Sequence, residues 1–213
     1  MRVVSIKRQS RQLSYVQMDN GDVLPMSGKD ILLYGLGEGT EVDEDTWQSI
    51  LGDVRAECLR RCGALLSGRD YSEKRLREKL LERRYPEEVI GGVIGDLKEA
   101  GYLDDRRMAE SFVRLHTKDR SIRRMRADLA HLGIGEADAA RALAEVDQDE
   151  EIRQILEIIR KKGFDPACAA VEEKDRFKAS LYRKGYEAEA IRKAVRMAEQ
   201  LDSGQLNDYN NSV

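Results

Sequence analysis

The sequence predicts a mainly α-helical protein, built as tandem three-helix repeats in a curved, elongated array behind a small N-terminal β-hairpin domain. Three observations carry this expectation. From Thr46 to about residue 200, apolar residues recur at helical spacing. Within that stretch one helix–turn–helix pattern occurs three times without a gap. Before it, the first 26 residues alternate or run β-branched, as strands do.

"VVSIKRQ" and "LSYVQM" read as two strands, and "DVLPM" as a short third that ends on Pro25. Asn20-Gly21 between the last two predicts a type I′ turn, which requires positive φ at both central residues. Ser27 is placed to cap a short helix reaching Tyr34. The acidic "EGTEVDEDT" then acts as a connector, so residues 1–45 form the β segment.

Thr46 is the expected cap of the first long helix, whose stripe is Trp47, Ile50, Leu51, Val54, Cys58, Leu59, Cys62 and Leu65. Ser67-Gly68 ends it, and Ser72 caps a helix with Leu76, Leu80 and Leu81 on its apolar side. Pro86 suits the first position of the next helix, and Glu87 and Glu88 suit its positive dipole end. That helix buries Val89, Ile90, Val93, Ile94 and Leu97 and stops at Gly101.

"RLREKLLERRYPEEVIGGVI" from Arg75, "RMRADLAHLGIGEADAARAL" from Arg124 and "RFKASLYRKGYEAEAIRKAV" from Arg176 align position by position, with a period of about 50 residues. Leu76 matches Met125 and Phe177, Leu80 matches Leu129 and Leu181, Tyr85 matches Ile134 and Tyr186, and Ile94 matches Leu143 and Val195. Gly133 and Gly185 fall where a left-handed residue closes a helix, and Arg84 replaces glycine in the first copy. A further helix precedes each copy. Met108, Ala109, Phe112 and Val113 mark the second, and Ile152, Ile155, Leu156 and Ile159 the third. The expected repeats are 46–103, 104–147 and 149–201, followed by a polar tail, 202–213.

Composition narrows the function. Hydrophobic residues are 41% and charged residues 36%, enough for thin helical cores. Aromatics are only 6%, which argues against a large aromatic-lined pocket. A net charge of −3 excludes a uniformly basic nucleic-acid binder, so local charge must decide. Three cysteines make no disulfide framework, and neither a signal peptide nor a membrane-length apolar run is present, so the expected setting is cytoplasmic.

No catalytic set stands out, and neither an enzyme nor a cofactor is expected. Cys58 and Cys62 share a helix face, but His116 and His131 lack zinc-site spacing, so buried structural cysteines are the simpler reading. "GLGEGT" lacks the lysine and the strand–turn–helix setting of a phosphate loop and reads as linker. The glycines of "IGGVIG" read as permitting close helix packing.

The basic residues stand out more. The first copy offers Arg75, Arg77, Arg83 and Arg84, the second Arg120, Arg123, Arg124 and Arg126, and the third Arg176, Lys178, Arg183 and Lys184. Recurrence at matched positions suits phosphates or an acidic protein groove. A solvated face with i,i+4 pairs to nearby acids is the alternative.

"RDYSEKRLREKLLERRYPEEVIGGVIGDLKEAGYLDDRRMAESFV", Arg69 to Val113, resembles the central signature of the RecX family, regulators of the RecA recombinase. The "YS…L…L" start, the tyrosine-bounded turn, "L…GYLDD" and "A..FV" carry the resemblance, and the tandem units extend it over about residues 55–200. The resemblance implies a non-enzymatic negative regulator in DNA repair, recombination and the SOS response, and a monomer is the expected state. It would lie in the groove of the RecA–DNA filament and inhibit ATP hydrolysis and strand exchange. The RecA filament is the implied partner, and single- or double-stranded DNA is a further candidate. A helix-turn-helix DNA-binding regulator, or a helical scaffold for another protein, stays open as an alternative. Against the former, the last helices of the first two units are neutral or acidic.

Overall fold

The structure, a computed structural model, describes residues 1–147 and 149–200. The predicted tail 202–213 lies outside them. The described residues form a three-stranded antiparallel sheet and ten helices, divided between two compact units, one from Met1 to Asp104 and one that starts at Asp105.

In the first unit, β1 (Val3–Arg8), β2 (Ser14–Met18) and β3 (Val23–Met26) pair in sequence order, with Val16 opposite Ile6 on one side and Leu24 on the other. Pro25 sits on the edge strand β3, where its missing N–H breaks no inner ladder. The β2–β3 turn differs from expectation. Asn20 keeps a negative φ, and only Gly21 is left-handed, at +94°. The Asn20 side chain instead binds Asp22 twice, accepting from its N–H at 3.0 Å and donating to its carboxylate at 2.7 Å. Asp19, Asn20 and Gly21 form a three-residue loop that Gly21 N–H closes onto Met18 C=O.

α1 (Gly28–Leu33) carries a full capping box between Ser27 and Asp30. α2 (Glu44–Leu66) starts earlier than expected. Its cap is Asp43, whose carboxylate accepts from Thr46 N–H at 2.8 Å. That bond holds the Asp43 carboxyl below the usual carboxylate range. Thr46 therefore supplies the donor of the cap, not the acceptor. Ser72 does cap α3 (Glu73–Leu81). Pro86 is the cap residue of α4 (Glu87–Glu99), one position earlier than expected. Leu59 and Leu81, assigned to apolar stripes, are exposed. Of the "IGGVIG" glycines only Gly92 meets another element, the Arg55 guanidinium of α2; Gly91 and Gly95 face open space.

One continuous apolar cluster runs through this unit. It joins Val3, Val16, Met18, Leu24 and Met26 of the sheet to Trp47, Ile50 and Val54 of α2, and on to Leu76, Leu80 and the buried face of α4. The sheet's buried side chains thus belong to the same core as the helices.

The second unit holds α5 (Asp105–His116), α6 (Ile122–Leu132), α7 (Glu136–Ala144), α8 (Glu150–Lys162), α9 (Val171–Arg183) and α10 (Ala188–Gln200). It contains two separate apolar clusters. One joins α5, α6 and α7 through Ala109, Val113, Met125, Leu129 and Leu143. The other joins α8, α9 and α10 through Ile155, Leu156, Ile159, Phe177, Leu181 and Val195. All four sets of aligned residues are buried in every copy, so each copy uses the same positions for its core. At the matched helix ends Gly133 has φ +88° and Gly185 +101°, and Arg84 takes φ +60° as the one left-handed non-glycine residue among those described. Its guanidinium lies 5.4 Å from the Tyr15 ring centroid.

The junction between the two clusters of the second unit is polar. Glu151, at the start of α8 and only 3% exposed, accepts from Ile122 N–H at 2.8 Å with one oxygen and from Glu187 N–H at 3.1 Å with the other. One carboxylate therefore serves the N-termini of both α6 and α10. Ser121 caps α6 and also donates to Lys184 C=O at 3.1 Å. Gln154 donates to the carbonyls of Thr117 and Arg120.

Candidate partner-binding surface

The sequence-predicted basic residues do not form one free stripe. In the first unit Arg75 pairs with Glu78 at 2.9 Å, and Arg77 with Glu87 at 3.0 Å and Glu73 at 3.6 Å. In the second unit Arg120 and Arg124 share Asp128, at 2.7 and 3.2 Å, and Arg126 pairs with Glu136 at 2.7 Å. Arg123 donates to Tyr182 C=O at 2.6 Å and lies 4.8 Å from the centroid of that ring, so it ties α6 to α9. Arg176 donates to Glu172 C=O at 3.2 Å, and Lys178 pairs with Asp175 at 3.6 Å. Exposed pairs of this kind contribute only about 0–1 kcal/mol each and leave the cation accessible to a stronger anion.

Arg120, Arg124, Arg183 and Lys184 do come together. They line a cleft of about 530 Å³ in the second unit, at the junction of its two clusters. Lys118 and Lys161 join them, so six cations face only two lining carboxylates, Asp119 and Glu157. Glu157 is committed to Arg160 at 2.6 Å, and those hydrogen bonds pull its carboxyl down to about 2. Lys118, Arg183 and Lys184 make no ion pair with any described residue and are exposed. The cleft can therefore receive an anion without first breaking a bridge at those three residues.

Lys118 and Lys161 were not singled out by sequence. Lys118 stands just ahead of "RSIRRMR" and extends the same basic run, whereas Lys161 reaches the cleft only because α8 packs beside α6. Arg83 lines a separate cleft in the first unit with Arg61, and Arg84 is spent on its own backbone geometry and Tyr15.

Other candidate chemistry folds into the core. Cys58 and Cys62 are buried side by side on α2, and their mutual hydrogen bond, together with burial, pushes the Cys58 thiol far above the ordinary range. Among the described residues no cluster of His, Cys, Asp and Glu is placed to hold a metal ion. None of the described helices is long and apolar enough to cross a membrane.

A family model described as RecX, first three-helix domain, matches residues 58–97. A regulatory protein RecX from Trichlorobacter lovleyi is 30% identical over 142 residues, which span 64% of this chain and 92% of that protein. Another from Levilactobacillus brevis is 31% identical over 154 residues, or 70% of this chain, and the chain spans 58% of that longer relative. A crystal structure of RecX from Lactobacillus salivarius superimposes with a TM-score of 0.65 at 19% identity, over 70% of this chain and 99% of that one; it bears on the fold.

Proposed function

The chain belongs to the RecX family of regulatory proteins, which implies modulation of RecA rather than catalysis, and we propose that it binds the RecA–DNA filament and lowers its ATPase and strand-exchange activity. The observation that carries the reading at residue level is the basic cleft of the second unit. There Lys118, Arg183 and Lys184 stand without counterions beside Arg120 and Arg124. Such a cleft suits acidic side chains on a filament wall, or DNA phosphates within it. The other basic residues of the matched helices take part once a closer anion displaces their present partners: Arg75, Arg77, Arg126 and Lys178 leave surface ion pairs, and Arg176 leaves the Glu172 carbonyl.

The same reading makes the protein a cytoplasmic monomer, with repeats spanning 46–103, 104–147 and 149–201. It is tested by titrating the purified protein into a DNA-dependent RecA ATPase assay at low salt. Suppression at substoichiometric ratios to RecA supports it. Undiminished hydrolysis at equimolar protein removes it.

A further inference from the structure

The first unit carries a second cleft, larger than the basic one, that the RecA reading does not use. Its volume is about 940 Å³, and it opens between the β1–β2 loop, the β3–α1 corner, α2 and the α3–α4 turn. Arg11, Lys29, Arg61 and Arg83 line it, and none makes an ion pair with a described residue. Its three carboxylates are already engaged. Asp30 closes the α1 capping box, Asp53 accepts from Tyr34 Oη at 2.7 Å, and Glu57 pairs with Arg60 at 2.7 Å.

Tyr85 stands in the wall beside Arg61 and Arg83. Only 6% of the residue is exposed, and its hydroxyl makes no hydrogen bond to any described residue. Burial pushes that phenol up to about 12, so it keeps its proton and stays a donor at neutral pH. The ring is packed into the core while the hydroxyl is left open to the cleft, with Arg61, Arg83 and the Arg60-paired Glu57 as its charged neighbours.

We infer that this cleft binds carboxylates of an acidic peptide segment on a protein partner, with Tyr85 Oη and the Arg83 and Arg61 guanidiniums as the recognising groups. Guanidiniums hold a carboxylate through paired N–H donors, and a neutral phenol adds a charge-assisted bond. A nucleic-acid strand fits less well. Strand binding draws on exposed aromatic faces for base stacking, and the single aromatic of this lining is the buried Tyr85. A continuous phosphate chain would also run past Asp30, Asp53 and Glu57, whereas isolated carboxylates can settle between them. The matched tyrosine of the third copy, Tyr186, lines the basic cleft of the second unit, where Glu151 and Asp119 are its charged neighbours.

The test uses the full-length protein and a fluorescein-labelled peptide of alternating glutamate and alanine, read by anisotropy at low salt without RecA. It is thus independent of the filament reading. Saturable binding is expected. Losing one charge-assisted bond in Tyr85→Phe should weaken it about tenfold. Arg83→Gln, at an exposed position, should weaken it to a similar extent with an unchanged melting curve, and it carries the test if Tyr85→Phe fails to fold. Tyr102→Phe, at an exposed position outside both clefts, should bind like the wild type. Absence of saturable binding, or equal losses in Tyr85→Phe and Tyr102→Phe, overturns the site. Tighter binding of a labelled DNA oligonucleotide of equal charge, lost in the same variants, overturns the peptide as its occupant.

Discussion

A Cβ built on Gly185 would lie 2.5 Å from Ser121 Oγ, inside any tolerable contact. Ser121 cannot retreat freely, since its hydroxyl caps α6 and donates to Lys184 C=O. Gly185 is thus held at glycine twice, by this approach and by its φ of +101°.

Gly185→Ala should therefore destabilise the second unit by more than about 2 kcal/mol, combining left-handed strain with loss of the Ser121 bonds. At the matched end of the first copy the sign reverses. Arg84→Gly relieves a left-handed arginine and should stabilise by about 0.5–1 kcal/mol, less a few tenths for the Tyr15 contact. Urea unfolding of the two variants measures both.

Glu151→Ala leaves the N–H groups of Ile122 and Glu187 without their shared acceptor. Hydrogen bonds to a charged group contribute about 1.5–3 kcal/mol each, so a loss of roughly 3–5 kcal/mol is expected. Amide hydrogen exchange should accelerate first at Ile122 and Glu187. If those two amides stay protected, the bridge is not what holds the junction.

Within "RSIRRMR" the arginines should not behave alike. Arg123→Gln removes the bond to Tyr182 C=O and the stacking on its ring, and should lower stability by about 1–2 kcal/mol. Arg126→Gln removes one exposed pair and should cost under about 0.5 kcal/mol. The combined Lys118→Gln, Arg183→Gln and Lys184→Gln variant should melt normally yet weaken RecA inhibition by at least about tenfold at low salt, with the difference shrinking as salt rises. Unchanged inhibition would mean that the cleft is solvated surface.

Removing residues 1–43 should uncover the first unit's core, because the sheet and α2 share one cluster. Trp47, the chain's one tryptophan and 6% exposed, reports this directly. Its emission should shift to the red, and cooperative melting of the first unit should be lost.

Alkali should act through Tyr85 and Tyr186. Burial raises both phenols to about 12 in the folded chain, above the ordinary value of 10.0. Their contribution is complete below pH 10 and drains away as pH climbs from about 10 to about 12, because the unfolded chain ionises first. Stability measured against pH should fall across that window, and less steeply in a Tyr85→Phe, Tyr186→Phe double variant.

Much of this fold is legible from apolar spacing. Leu76, Met125 and Phe177 announce one position in three copies, and all three are buried. Caps are legible where a short polar residue has a single role, as at Ser27 and Ser72. Asp43 is obscured because five acidic residues, itself included, crowd the connector and Thr46 is also a favoured cap type. The site was harder to read. Glu151 beside Glu150 looks like an ordinary helix-start acid, and nothing local says that it is buried under two other helices. Arg123 cannot be told from Arg124 without knowing where Tyr182 lies. Long-range polar partners leave no periodicity, which is why the charge pattern suggests a stripe and the structure instead gathers the cations into separate clefts.

The join between the two clusters of the second unit is riveted rather than glued. Glu151, Ser121, Gln154 and Arg123 fasten it at separate points, and the apolar clusters stay apart. A glued joint resists until its whole oily face peels. A riveted one yields one fastener at a time, and water can take the place of each bond as it opens. Under a pulling force the second unit should therefore lengthen in small, reversible steps before either helical cluster unravels.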